Sequence, residues 1–248
     1  TLAGRGVANH QFLVALMRYG SYEGYHFFLP TPEELRDFRA TYGAVAPGRA
    51  PITSLPRRQL IERLRSTDYT VFHLADHTAS FQALCSLRNE HAARPFPVTA
   101  LTHSISDQAN MAAYLTMGLE GPRPHDAIVC SSPSGQDVLR SCFDSVSVAM
   151  DGRIDPPLTY PMQLPVIPLG VDTPSLAGGD RMPGRALAPL PIDRLVILYV
   201  GRLSPHDKMD LFPLLQAFAQ VHRRAPEVAP APLPPGSRPA RPSGDPPP

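Results

Sequence analysis

Apolar positions in the first 150 residues switch repeatedly between two periods, one near 3.6 and one short and continuous. Residues 8–19 carry Phe12, Leu13, Leu16 and Met17 at helical spacing, and residues 25–29 follow as a short aromatic run. The pattern predicts a helix and then a strand. A weaker helix is expected over 33–42. A better one is expected over 57–66, with Leu60, Ile61 and Leu64 turned inward. Three strand–helix units come next: a strand over 69–74 and a helix over 79–91, a strand over 97–102 and a helix over 108–117, then a strand over 127–130 and a helix over 135–143. This alternation is the mark of an α/β fold, a parallel sheet with helices on both faces. Such sheets bind ligands beyond the carboxyl ends of their strands. The residues just past each strand are therefore the candidates for chemistry.

Beyond residue 150 the pattern changes. Residues 151–194 are broken by prolines, and 165–172 reads as an edge strand running into an interdomain linker. Leu195, Val196, Ile197, Leu198, Tyr199 and Val200 then form an apolar run suited to a buried parallel strand. Gly201 ends it, and a helix is expected after Asp210, a candidate N-cap, with Leu214, Leu215, Phe218 and Val221 on one face. The last 23 residues hold ten prolines, which predicts an extended tail without a core. The expected organisation is a first domain over 1–165, a hinge and linker over 166–194, the start of a second domain over 195–225, and the tail over 226–248. The first helix has no strand feeding it, and the second domain stops after one strand and one helix. Both features predict a piece of a longer product.

Composition narrows the function classes. The formal net charge is +1, with no basic stripe, so nucleic acid is not an expected partner. No apolar segment nears the ~20 residues of a membrane span, and the opening residues do not read as a secretory signal. Cys85, Cys130 and Cys142 show no metal spacing and read as reduced residues of a cytoplasmic protein.

The one lysine among 23 Lys and Arg residues is Lys208, in VGRLSPHDK directly after the 195–200 run. With Arg202 it brackets a strand-to-helix turn, where two cations and a helix N-terminus suit a diphosphate. The competing reading for Arg202 is a salt bridge to Asp207 or Asp210. His103 follows the 97–102 strand at the ligand-binding edge, the alternative being a histidine tied to a neighbouring loop. His73, Asp76 and His77 cluster at another strand end and read as site-lining, with no metal expected. Ser131 and Ser132 lack the glycines of a hydrolase nucleophile turn and read as helix caps. Arg57 and Arg58 read as a solvated helix face, with peripheral membrane contact as the alternative.

Four stretches carry a family resemblance. Gly4-Arg5-Gly6-Val7-Ala8 ahead of a helix, LTHS at 101–104, DAIVCSS at 126–132, and VIPLGVD at 166–172 followed by LYVGRLSPHDK resemble, in order and spacing, the retaining glycosyltransferases of family 4. That resemblance implies a GT-B fold of two Rossmann-like domains. This chain would hold the N-terminal domain and the first strand–helix unit of the second. It implies a nucleotide-diphosphate sugar as donor, an acceptor of unknown identity, no cofactor and no metal. Arg202 and Lys208 would hold the donor diphosphate, the amides of Gly4 and Gly6 would approach the same phosphates, and His103 would lie near the transferred sugar. The family's paired glutamates and nucleoside pocket would lie past residue 248. A non-catalytic binding protein is therefore one alternative, and a sugar-nucleotide epimerase on the same architecture is another.

Overall fold

A computed structural model describes residues 4–42, 50–105, 107–171, 173, 199 and 210–225. The chain divides into two compact units, Thr1–Gly170 and Val171–Pro248. Within the first, elements run in the order α1 (Gly4–Tyr19), β1 (Tyr25–Leu29), α2 (Pro32–Tyr42), β2 (Ile52–Pro56), a 3-10 turn (Arg57–Gln59), α3 (Leu60–Ser66) and β3 (Phe72–Leu74). These are followed by α4 (Phe81–His91), β4 (Val98–Leu101), a second 3-10 turn (Gln108–Asn110), α5 (Met111–Leu119), β5 (Ala127–Val129) and α6 (Pro133–Met150). The second unit contributes α7 (Phe212–Arg224).

All pairings among the described strands are parallel, as the α/β alternation requires. β1 pairs β2, with Tyr25 opposite Ile52. β4 lies between β3 and β5, with His73 opposite Thr99 and Ala100 opposite Ile128. A further segment extends this sheet beyond β5. Ile128 N–H donates to the Gln163 carbonyl and Ile167 N–H to the Cys130 carbonyl, each at 2.9 Å. Among the described residues, the edge strand expected over 165–172 is met only by isolated parallel bridges, Ala127 with Gln163 and Cys130 with Val166. The two sheets touch through side chains: His26 Nδ1 lies 2.8 Å from the Tyr69 hydroxyl, and Phe28 stacks on Phe72 at 5.8 Å.

The core lies where β4 and β5 meet α4, α5 and α6. Val98, Ala100 and Ile128 from the sheet pack with Phe81, Leu84, Tyr114, Met117, Leu139 and Phe143 from the helices, all buried. At the amino edge of this sheet, Arg88 of α4 holds Asp126 with both terminal guanidinium nitrogens, Nη1 to Oδ1 and Nη2 to Oδ2, the latter at 2.8 Å. The same carboxylate accepts from the backbone amides of Val98 and Arg123, each at 2.7 Å. One buried ion pair therefore fixes where β4 and β5 begin.

Local chemistry explains the helix starts. Thr31 and Glu34 satisfy each other's amides as a capping box before α2. Ser132 Oγ accepts from Gly135 N–H at 3.0 Å, so the capping role expected for this serine is met, and Pro133 fills the first turn of α6. Asp210 Oδ1 accepts from Phe212 N–H at 2.9 Å at the start of α7.

Three expectations need correction. α1 begins at Gly4, so Gly4 and Gly6 lie in its first turn instead of in a loop before residue 8. β2 was not predicted, because Pro51 precedes it and Pro56 is its last residue, and the two prolines break the strand pattern. α6 runs seven residues past 143 to Met150. Its serines hid the period, and Ser141 and Ser145 bond back to the carbonyls of Asp137 and Ser141. The strand expected over 195–200, except Tyr199, and the tail over 226–248 lie outside the described residues. No helix among the described residues is long and apolar enough to cross a membrane.

Candidate functional site at the carboxyl edge

Because β3 and β4 run parallel, their last residues emerge side by side. Ala75, Asp76 and His77 follow β3, and Thr102 and His103 follow β4. His103 Nε2 lies 2.8 Å from the Ala75 carbonyl oxygen and 2.9 Å from Asn9 Oδ1 of α1. One imidazole therefore joins two strand ends to the first helix. Gly6 stands three residues before Asn9, hence on the same face of α1. The free amides of that helix's first turn begin at Gly4.

The other predicted residues sit around this joint with distinct partners. His77 is buried; its Nε2 is 3.1 Å from the Tyr114 hydroxyl, and the two rings stack at 5.9 Å. Burial holds the His77 imidazole below its ordinary range, against the opposing pull of the Asp76 carboxylate. His73 lies inside β3, with Nδ1 2.8 Å from Thr99 Oγ1 and its ring against Phe12 of α1 at 4.6 Å. Burial pushes its pKa down to about 4, so the ring is neutral at pH 7. Burial favours a protonated Asp76, but hydrogen bonds from Thr78 Oγ1 at 2.7 Å and Thr78 N–H at 2.8 Å outweigh it and keep the carboxyl below its usual range. Asp76 is thus held as a carboxylate, beside the His77 imidazole that burial disfavours in its charged form.

The structure thus brings His103, Asp76 and His77 to one sheet edge and α1 to its side. His73 sits one layer beneath. Arg202 and Lys208 lie outside the described residues. Sequence reasoning missed Asn9, Thr99 and Tyr114. Asn9 directly follows the glycine stretch, and Tyr114 is the one aromatic on an otherwise aliphatic α5, so each left a faint signal. A separate open groove of about 390 Å³ lies on the far side of β5, where Arg140, Asp144 and Tyr160 are among its walls. It shares no residue with the strand-end cluster.

No protein-family model matches the chain. No solved structure matches it. The chain is similar to the D-inositol 3-phosphate glycosyltransferase of Stackebrandtia nassauensis, with 27% identity over 154 residues. That alignment covers 62% of this chain and 29% of the relative, so the chain spans less than a third of that protein's length. The similarity supports a relationship to glycosyltransferases.

Proposed function

We propose that the chain is part of a glycosyltransferase that moves a hexosyl group from a nucleotide-diphosphate sugar to an acceptor with retention of configuration, without a metal, in the cytoplasm. The observation that carries this reading is the joint at the carboxyl edge. His103, the strand end before it and the first helix converge where a parallel α/β sheet receives its ligand.

In this reading residues 1–165 are the acceptor-side domain, 166–194 the hinge, 195–225 the start of the donor domain and 226–248 an extended tail. Arg202 and Lys208 neutralise the leaving diphosphate as its bond to the sugar breaks. Fixed cations there lower the barrier without the reorganisation that water would need. The amides of Gly4 and Gly6 face the same phosphates, and His103 faces the sugar. The acceptor oxygen bonds to the anomeric carbon on the face the phosphate leaves, and its proton passes to the departing phosphate oxygen. Arg57 and Arg58 are exposed at the start of the Arg57–Gln59 turn and suit a peripheral contact with an anionic membrane surface.

The test is Lys208→Ala in the longer polypeptide that includes the nucleoside-binding part. Transfer should fall roughly ten- to a thousandfold for one lost charge contact on the leaving group. Unchanged turnover would remove the reading.

A further inference from the structure

The two acceptors around His103 decide where its proton sits. The Ala75 carbonyl oxygen at 2.8 Å has only lone pairs to offer, so Nε2 must carry the hydrogen. Asn9 then presents Oδ1 at 2.9 Å to the same N–H. In the neutral ring the lone pair is left on Nδ1, which has no hydrogen-bond partner among the described residues. Two acceptors from different elements also fix the direction of the shared N–H, which must point between them. Ala75 belongs to the β3 end and is fixed by the sheet. Asn9 is the one side chain of the pair, and it comes from α1, 94 residues away in sequence.

We propose that Asn9 is a positioning residue: with the Ala75 carbonyl it locks His103 as the Nε2–H tautomer and turns Nδ1 outward as a hydrogen-bond acceptor for a hydroxyl of the bound sugar. The sugar part of this proposal rests on the transferase reading above; the lock does not. The geometry also gives α1 a role beyond lending amides to phosphate. Its placement sets whether the imidazole can accept from the sugar. A ring free to rotate or to change tautomer offers Nδ1 only part of the time, and affinity falls by that fraction.

The test combines imidazole nitrogen-15 spectra of the whole chain with calorimetry of the longer polypeptide, nucleoside-binding part included, against UDP-glucose and GDP-mannose. In the native chain the His103 Nε2 proton should be visible and slow to exchange, with Nδ1 showing the signature of an unprotonated nitrogen. Asn9→Ala should speed that exchange while the amide spectrum elsewhere stays native. Asn9→Ala should also weaken sugar-nucleotide binding about three- to tenfold, the worth of one neutral hydrogen bond. In the His103→Ala background the same substitution should cost nothing further, because coupled residues are non-additive. A proton on Nδ1, or an exchange rate unmoved by Asn9→Ala, overturns the lock. Additive losses in the double variant overturn the positioning role. If the longer polypeptide binds neither nucleotide sugar, the transferase reading fails along with the role of Nδ1, and the spectra alone judge the lock.

Discussion

Asp126 shows how much one residue can hold. Its carboxylate faces both terminal guanidinium nitrogens of Arg88 and two backbone amides, with neither charged side chain reaching solvent. Burial alone would raise its pKa, but the Arg88 hydrogen bonds and the amides of Val98 and Arg123 outweigh that and hold the carboxyl below its usual range. Asp126→Asn keeps the shape and strands the guanidinium, so unfolding free energy should drop by about 3–5 kcal/mol in urea titrations. A loss well under 1 kcal/mol would contradict this account of the amino edge. The same residues set the acid response. A lowered carboxyl pKa stabilises the fold above its unfolded value near 4 and is lost as pH falls through the native value. A lowered histidine pKa acts over a higher window. With His73 at about 4 in the fold, stability is full above the unfolded value near 6.5 and drains as pH falls toward 4. The slope from this one group is at most about 1.4 kcal/mol per pH unit. Thermal unfolding of His73→Gln should therefore flatten between pH 6.5 and 4 relative to wild type. His26 and His77, both also lowered by burial, should keep a residual slope. Little of this was legible in the sequence. Asp126 reads there as one acid before a strand, and its partner Arg88 lies 38 positions earlier on a helix face.

Among the elements, strands and helices with strong local signals stood out in the sequence and those depending on partners did not. β1 falls on its expected residues because an aromatic run between a glycine and a proline has few other uses. β2 exists because β1 pairs with it, a fact that no local pattern carries. Caps are local chemistry and were readable. Ser132→Ala should cost about 1 kcal/mol by leaving a first-turn amide of α6 without its acceptor, and chemical denaturation can measure it. The turn between α5 and β5 was less visible. Gly121 has a φ of +115°, and an added Cβ would stand 3.0 Å from the Gln82 carbonyl oxygen and 2.9 Å from Ser86 Oγ. Gly121→Ala should therefore lower the melting temperature more than Ser132→Ala does. A neutral outcome there would show that the backbone can relax.

For the whole molecule, the sheet has an amino edge built for stability and a carboxyl edge where imidazoles gather. The α/β class and the strand ends could be read from the alternating periods, which is why His103 could be singled out. What brings Asn9 to it is the packing of the first helix beside this edge, a long-range contact that spacing cannot reveal. Lys208 stands out in the sequence as the single lysine and Arg202 by its place after the 195–200 run, and both lie outside the described residues. The central claim is that this edge receives a nucleotide-diphosphate sugar, and calorimetry with UDP- and GDP-linked sugars, on the longer polypeptide that includes the nucleoside-binding part, tests it most directly. The account predicts saturable binding that weakens in both His103→Ala and Lys208→Ala. Binding that is absent, or unmoved by either substitution, would contradict it.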